Sequence, residues 1–379
     1  MSADVEGREL VVLNYEELLS AETSEDLRQK IERAYSFGGL GILAVRGVPD
    51  LLDARKECLP LAFKFASLPE AVKEKYVHSE SFFSFGWSHG KEKLEGKPDL
   101  KKGSYYANPV LDRPYEDEKI IRDHSSFAHP NIWPSEEDCP GFEKAFKRLG
   151  GLIVKTGEFL ARHCDAYVST QLVKRGGDAA RKDVSLVDVV TKCRCHKARL
   201  LYYFPRDTDE EDDEGEEEKE KKDDISGWCG WHNDHGSLTG LAPGMFFNEK
   251  GEEVECPDAK AGLYVKSRTG EVVRVVTPPG CLAFQIGEAE QLMTGGILQA
   301  TPHCVRPPSK KGVSRSTLAV FMEPEWAHLV AAPRGIDDTE LKRGANGELL
   351  PPGVPALLSR WKEGMDFGEF TEKTLGAYY

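Results

Sequence analysis

Trp231-His232-Asn233-Asp234 is the stretch on which the reading of this chain turns. On an extended segment the residues at i and i+2 face one side, so the His232 imidazole and the Asp234 carboxylate can reach the same ion. A third ligand is expected from Ala300-Thr301-Pro302-His303. The apolar, turn-bounded run from Gly280 to Gly287 precedes it and reads as a buried strand leading toward the site. Two histidines and one carboxylate leave the other positions of a metal open, an arrangement that suits iron(II) chemistry. A bare His-x-Asp is a weak signal; order and context strengthen it. Arg315-Ser316-Thr317 follows His303 and opens the apolar run Leu318 to Met322, so Arg315 and Thr317 share a strand face and offer a guanidinium and a hydroxyl to a carboxylate near the metal.

Working outward, Leu10 to Leu13 and Gly41 to Val48 read as strands, and Thr23 to Tyr35 as an amphipathic helix with Leu27, Ile31, Ala34 and Tyr35 on one face. Leu51 to Ala66 is helical in pattern, with Pro60 expected to kink or split it. A long helix is expected from near Phe142, with Phe146, Leu149, Ile153 and Leu160 on its inner face. From Arg199 to Met322 the pattern is strands separated by Gly and Pro turns, and Pro355 to Tyr379 holds two short helical patterns. The expected fold is mainly β with flanking α: a double-stranded β-helix, or jelly roll, with an N-terminal α/β region (1–198), a core (199–330) and C-terminal helices (331–379), in one compact unit.

The net charge of −14 is concentrated. Residues 207–224 contain 13 Asp or Glu and 3 Lys, a net of −10, leaving −4 on the rest. With nothing apolar to bury, this run is expected to be a disordered insertion between two strands. So acidic a chain lacks the basic face that nucleic acid requires. No run of residues has the length and apolarity of a membrane helix, and the first residues lack the basic and apolar regions of a secretory signal, so a cytoplasmic monomer is expected. The nine cysteines are odd in number and scattered, unlike a disulfide framework. Cys193-Arg194-Cys195-His196 lacks the second ligand pair of a zinc knuckle.

In its ordered motifs the sequence resembles the isopenicillin-N-synthase-like branch of the 2-oxoglutarate and iron(II)-dependent dioxygenases. The family pattern is His-x-Asp, a distal His, then Arg-x-Ser; here it is His232, Asp234, His303, Arg315 and Thr317, with Gly262-Leu263-Tyr264-Val265-Lys266 and Thr277-Pro278-Pro279-Gly280 between the ligands. Phe37 to Val45 with Gly47-Val48-Pro49, and Leu68-Pro69-Glu70, are similar to the family's opening segments. The resemblance covers roughly residues 10–330 and its motifs are jointly specific. It implies iron(II) on His232, Asp234 and His303, and 2-oxoglutarate paired with Arg315 and assisted by Thr317. With molecular oxygen, the enzyme would hydroxylate, desaturate or cyclise a small organic metabolite.

Two positions depart from the family pattern. Thr317 stands for the co-substrate serine and keeps its hydroxyl. Tyr202-Tyr203-Phe204-Pro205 puts Phe204 where a tyrosine usually precedes proline, and a one-residue slip would bring Tyr203 or Tyr202 to the co-substrate instead. For the substrate, the aromatic-rich stretch containing Trp87 and Tyr105, and Trp231 beside the ligand strand, are candidate walls of an apolar mouth; each is equally readable as core packing. An iron oxidase without 2-oxoglutarate, a noncatalytic binding protein on this fold and a zinc hydrolase are the alternatives. The last leaves Arg315 unexplained.

Overall fold

The computed structural model describes residues 7–91, 93–94, 97–176, 185–205, 227–333, 339–344, 350–351 and 353–378. The acidic run 207–224 lies outside them. Two sheets face one another. The smaller contains β1 (Gly7–Glu9), β14 (Val272–Val276), β13 (Gly262–Lys266), β16 (His303–Arg306) and β9 (Cys229–His232), in that order. The larger runs β2 (Val12–Asn14), β3 (Ile42–Arg46), β15 (Cys281–Ile286), β10 (Leu238–Leu241), β17 (Ser314–Met322), β8 (Lys197–Tyr203), β7 (Lys102–Ala107), β4 (Gly86–His89). Strand β11 (Met245–Phe247) adds to β17 and carries β12 (Glu253–Val254), while β5 (Lys93–Leu94) and β6 (Lys97–Pro98) form a separate hairpin. From β8 onward the chain crosses repeatedly between the two sheets, with β10 to β12 consecutive in the larger and β13 and β14 consecutive in the smaller, the winding of a jelly roll.

Alternation along each strand divides the molecule into two layers. Leu200, Tyr202, Leu318, Val320 and Met322 face outward onto helices, whereas Leu201, Tyr203 and Ala319 face inward against Trp228 and Val305 of the small-sheet side. The outer layer is built on the 33-residue helix Phe142–Lys174, whose Phe146, Leu149, Ile153 and Leu160 are fully buried at helical spacing. Gly240 on β10 permits this approach: a Cβ there would lie 2.2 Å from Ile153 Cγ2. Burying side chains of this size contributes about 1.5–3 kcal/mol each.

Helix Glu25–Tyr35 matches the sequence pattern, and its start is fixed by Ser24, whose side chain accepts from the Leu27 amide. Pro60 does not split helix Leu51–Ala66. The carbonyl that its missing N–H would have served belongs to Lys56, on the exposed side where water can replace the bond. The run Cys281–Ile286 is buried as expected but does not lead straight to His303: it belongs to the large sheet, and helix Glu288–Met293 intervenes before the chain returns as β16 in the small one. Helices Leu357–Arg360 and Phe367–Tyr378 occupy the C-terminal stretch.

Candidate metal centre

Among the described residues, His232, Asp234 and His303 each present a ligand atom such that all three lie within 4.8 Å of one another. His232 and His303 are direct cross-strand partners on β9 and β16, with ring centroids 4.2 Å apart. Asp234 lies two residues beyond His232, just past the end of β9, and its Oδ1 is 3.9 Å from His232 Nε2 and 3.8 Å from His303 Nε2.

Both rings turn the same edge inward, because the other nitrogen is occupied. His232 Nδ1 lies 2.8 Å from the Gly230 carbonyl and His303 Nδ1 3.3 Å from that of Thr301. Nδ1–H donating to a carbonyl leaves the Nε2 lone pair for a cation. Asp234 Oδ2 is buried and has no hydrogen-bond partner among the described residues, which a metal ion would satisfy. Two imidazole nitrogens and a carboxylate suit iron(II), so the residues present fit that ion. Burial, reinforced by the neighbouring His232, pushes His303 down to about 4, keeping it neutral and ready to ligate. Burial also opposes a charged His232, but Cys229 and Asp234 outweigh it and raise His232 to about 9, so proton and cation compete for this nitrogen.

Cys229 was not legible as a neighbour of the centre. Its Sγ lies 3.9 Å from His232 Nδ1 because the β9–β16 ladder is irregular: His303 pairs His232 while Val305 pairs Cys229, so one extra residue in β9 brings positions 229 and 232 to the same face. Cys304, next to His303, is buried on the other side of its strand. His235 is no additional ligand in this arrangement; its ring stacks on Phe367 at 5.6 Å.

The loop carrying Asp234 is clamped from behind. Asn233 Nδ2 donates to Glu288 Oε1 at 2.9 Å, Arg360 Nη2 donates to the same oxygen at 2.7 Å, and the Glu288 amide donates to the Asp234 carbonyl. Glu288 and Arg360 are 1 % and 4 % exposed, so this is a buried pair, with Glu288 Oε1 shared between Asn233 and Arg360. On the other side Arg268 binds Gln299, Ala300 and Thr301, fixing the approach to His303.

Arg315, Tyr203 and Lys102 form one row across β17, β8 and β7, all on the inward face. The Arg315 guanidinium carbon is 5.3 Å from the Tyr203 ring centre, and its Nη1 is buried with no hydrogen-bond partner among the described residues. A carboxylate would satisfy it. Gly244 makes room, since a Cβ there would lie 2.5 Å from Arg315 Nε. Tyr203, stacked on Trp228 at 5.2 Å, is therefore the tyrosine on the Arg315 face, whereas Phe204 packs outward beside His89 and Tyr202. Thr317 also faces inward but donates its hydroxyl hydrogen to the Ala242 carbonyl at 2.8 Å, so in this geometry it offers only lone pairs to its surroundings.

The three aromatic candidates do not gather at the centre. Trp87 and Tyr105 lie in the outer layer against Phe65 (ring centroids 5.2 and 4.9 Å), and the Tyr105 hydroxyl donates to the Ile132 carbonyl. Their cross-strand row continues through Leu200, which faces the helices, so neither lines the inward face with the triad. Trp231 is half-buried and, by alternation, points away from the side His232 uses. The inward rows instead carry Tyr106, Arg199, Lys197 and Phe321, partners of one another across β7, β8 and β17. Alternating Lys197-Ala198-Arg199-Leu200-Leu201 was the available signal: charges at every second position of an otherwise apolar strand.

A family model for the non-haem dioxygenase in morphine synthesis N-terminal region matches residues 10–136, and one for the 2OG-Fe(II) oxygenase superfamily matches residues 195–324. The chain belongs to the 2OG-Fe(II) oxygenase superfamily. It is a non-haem iron dioxygenase whose cofactors are iron(II) and the co-substrate 2-oxoglutarate. No curated protein matches the sequence. Among solved structures, a full-length Neurospora crassa protein in complex with alpha-KG is 20 % identical, with 96 % of this chain and 95 % of that chain covered and a TM-score of 0.61. A 2OG-Fe(II) oxygenase family protein from Caulobacter crescentus is 19 % identical over 97 % of this chain and 98 % of its own, also with a TM-score of 0.61. A dioxygenase for auxin oxidation in rice is 18 % identical over 96 % and 94 %, with a TM-score of 0.53. These likenesses establish the shared fold. No helix among the described residues is long and apolar enough to cross a membrane.

Proposed function

We propose that His232 and His303, through Nε2, and Asp234 hold the iron, and that Arg315 receives the far carboxylate of 2-oxoglutarate while the enzyme oxidises a small organic metabolite by hydroxylation, desaturation or ring closure. The observation that carries this reading is the convergence of the three ligand atoms within 4.8 Å. Bound there, the metal supplies oxidative decarboxylation of the co-substrate to succinate with coupled oxidation of the substrate. The chain's own residues do the rest. Gly230 and Thr301 fix the tautomers of the two imidazoles, and the Glu288–Arg360 pair fixes the loop of Asp234. Arg315 sets where the co-substrate lies, with Tyr203 under its guanidinium and Thr317 beside it as an acceptor. The apolar walls around Leu201, Trp228 and Val305 exclude water from the space between the sheets.

The same reading has the segments 1–198, 199–330 and 331–379 acting as one unit, supported by Tyr115–Glu325 and Arg360–Glu288 contacts across them, and the protein working as a cytoplasmic monomer on a small molecule rather than on nucleic acid. The test is anaerobic reconstitution with iron(II) and 2-oxoglutarate followed by exposure to oxygen. Succinate should form, and should not form with the Asp234→Ala variant. Size-exclusion chromatography and a single thermal transition check the monomer and the single unit.

A further inference from the structure

The Glu288–Arg360 pair is only one of two contacts that reach the loop of Asp234 from the C-terminal end of the chain. Asp234 stands between Asn233 and His235, and residues 355–378 touch the surroundings of both. On one side Arg360 Nη2 and Asn233 Nδ2 share Glu288 Oε1, at 2.7 and 2.9 Å. On the other, the fully buried Phe367 ring lies nearly parallel to the His235 imidazole, with ring centroids 5.6 Å apart and planes 14° from one another. The carboxylate ligand is thus flanked, before and after, by a side chain that the C-terminal segment holds in place.

That segment is knit together as a unit. Arg360 Nη1 donates to Thr374 Oγ1 at 2.8 Å and its Nη2 also to the Pro355 carbonyl at 3.1 Å, which ties helix Leu357–Arg360 to helix Phe367–Tyr378. Backbone bonds dock it on residues 326–330: the Val330 amide donates to the Met365 carbonyl at 3.0 Å, and the Phe367 and Gly368 amides donate to the His328 and Trp326 carbonyls at 2.8 Å. Leu357, Phe367 and Phe370 pack with Ala289, Leu292 and Met293 in a cluster separate from the main core. Helix Glu288–Met293, held in this cluster, is also the element whose first amides bond the ligand loop, Glu288 to the Asp234 carbonyl at 2.8 Å and Ala289 to the His235 carbonyl at 3.2 Å. Units outside the main core open at lower free energy than the core itself, and a loop resting on one follows its motion.

We propose that residues 355–378 form a clasp linked to the metal: docked, they keep Asp234 on the side of the two imidazoles, and iron(II) binding in turn holds them down. Arg360 and Phe367 are the positioning residues, the first acting through Glu288 and Asn233, the second through His235. This rests on the reading of His232, Asp234 and His303 as the iron site and adds a regulation of that site. Undocking removes both the guanidinium from the shared Glu288 oxygen and the aromatic face from His235, so the two neighbours of Asp234 lose what sets its direction. Support of this kind behind a metal ligand governs affinity by about 10–100-fold. The effect is reciprocal: whatever factor docking contributes to iron affinity, iron returns as added protection of the docked segment.

The experiment uses the full chain under anaerobic conditions with iron(II) alone as the probe. Equilibrium dialysis gives iron affinity, and hydrogen exchange read by mass spectrometry gives the opening of residues 355–378. Arg360→Lys keeps the charge but not the planar fork, and Phe367→Leu keeps apolar bulk but not the ring; each should weaken iron binding by about 10–100-fold. Ile153→Ala, which hollows the main core beside Gly240, should lower the melting temperature yet leave iron affinity within about twofold. In the wild type, iron should slow exchange at the Val330, Phe367 and Gly368 amides by about 10–100-fold as well. Unchanged iron affinity in both clasp variants, an equal loss in Ile153→Ala, or exchange indifferent to iron in the wild type would overturn the proposal. The exchange measurement needs no variant, so it decides the matter even if a substituted chain fails to fold. A wild type that does not retain iron would count instead against the metal-site reading itself.

Discussion

Arg315 and Tyr203 stand directly opposite one another across β17 and β8, with the guanidinium carbon 5.3 Å from the phenol ring centre. The ring is itself pinned on Trp228, so it forms a firm floor that holds the guanidinium plane in one orientation. Arg315 Nη1 is left buried and without a hydrogen-bond partner among the described residues. Arg315→Leu is expected to weaken 2-oxoglutarate binding by about 1.5–3 kcal/mol, the worth of a hydrogen bond to a charged group, while iron binding is retained. Calorimetric titration of the metal-loaded variant checks it, and unchanged affinity would remove Arg315 from the co-substrate site.

Gly244 offers a subtler perturbation of the same group. An added methyl would meet Arg315 Nε at 2.5 Å, and the flexible end of the arginine is what would give way. Gly244→Ala should therefore keep the fold and the metal site but raise the KM for 2-oxoglutarate several-fold. Equal KM values in the variant and wild type would show that the guanidinium has room to spare.

Each triad residue is expected to be indispensable to metal retention. His232→Ala, Asp234→Ala and His303→Ala should each lower iron(II) affinity by more than about a hundredfold, since loss of even an outer-shell partner costs about 10–100-fold. Metal content after dialysis, alongside circular dichroism, separates ligand loss from unfolding. Full occupancy in any two of the three would sink the assignment.

The convergence of His232 and Asp234 was legible because strand periodicity alone puts i and i+2 on one side, and the same rule placed Arg315 with Thr317. Phe204 against Tyr203 was not decidable, since a strand pattern fixes alternation but not which face is inside; the pairing of Arg315 with Tyr203 settles the register. Trp87 and Tyr105 were misleading for that same reason. Glu288 and Arg360 carried no signal at all, because partners 72 residues apart look like ordinary surface charges until the fold joins them. Cys229 was hidden by the irregular ladder that turns it toward His232.

Glu323 provides a pH signature. Burial pushes its carboxyl up to about 7 against the pull of Lys197, with Asp234 adding to the rise. A carboxyl raised in the folded state contributes stability that is fully present below about 4.5 and lost as pH rises through about 7. The wild type should therefore lose stability relative to Glu323→Gln across that window. Chemical denaturation of both proteins at each end measures it, and parallel curves would contradict the assignment.

Gly240 tests the helix-backed layer. Gly240→Val would drive a side chain into Ile153 and Phe284, with contacts already at 2.2 and 3.0 Å for a single methyl. Overpacking of this kind costs about 1–3 kcal/mol or more, so the midpoint of urea unfolding should fall while the slope stays the same. A variant as stable as wild type would mean that the long helix can slide.

Residues 7–14 occupy the outer borders of both sheets: β1 lies parallel on β14, at the opposite end of the smaller sheet from β9 and its His232, and β2 lies parallel on β3. One short segment thus seals two rows of backbone groups that would otherwise invite strands from other molecules. Its detachment would leave the catalytic face untouched yet give the protein two adhesive margins. The first symptom of damage at this end would then be clumping in the test tube or the cell, with chemistry still running in the molecules that stay dispersed.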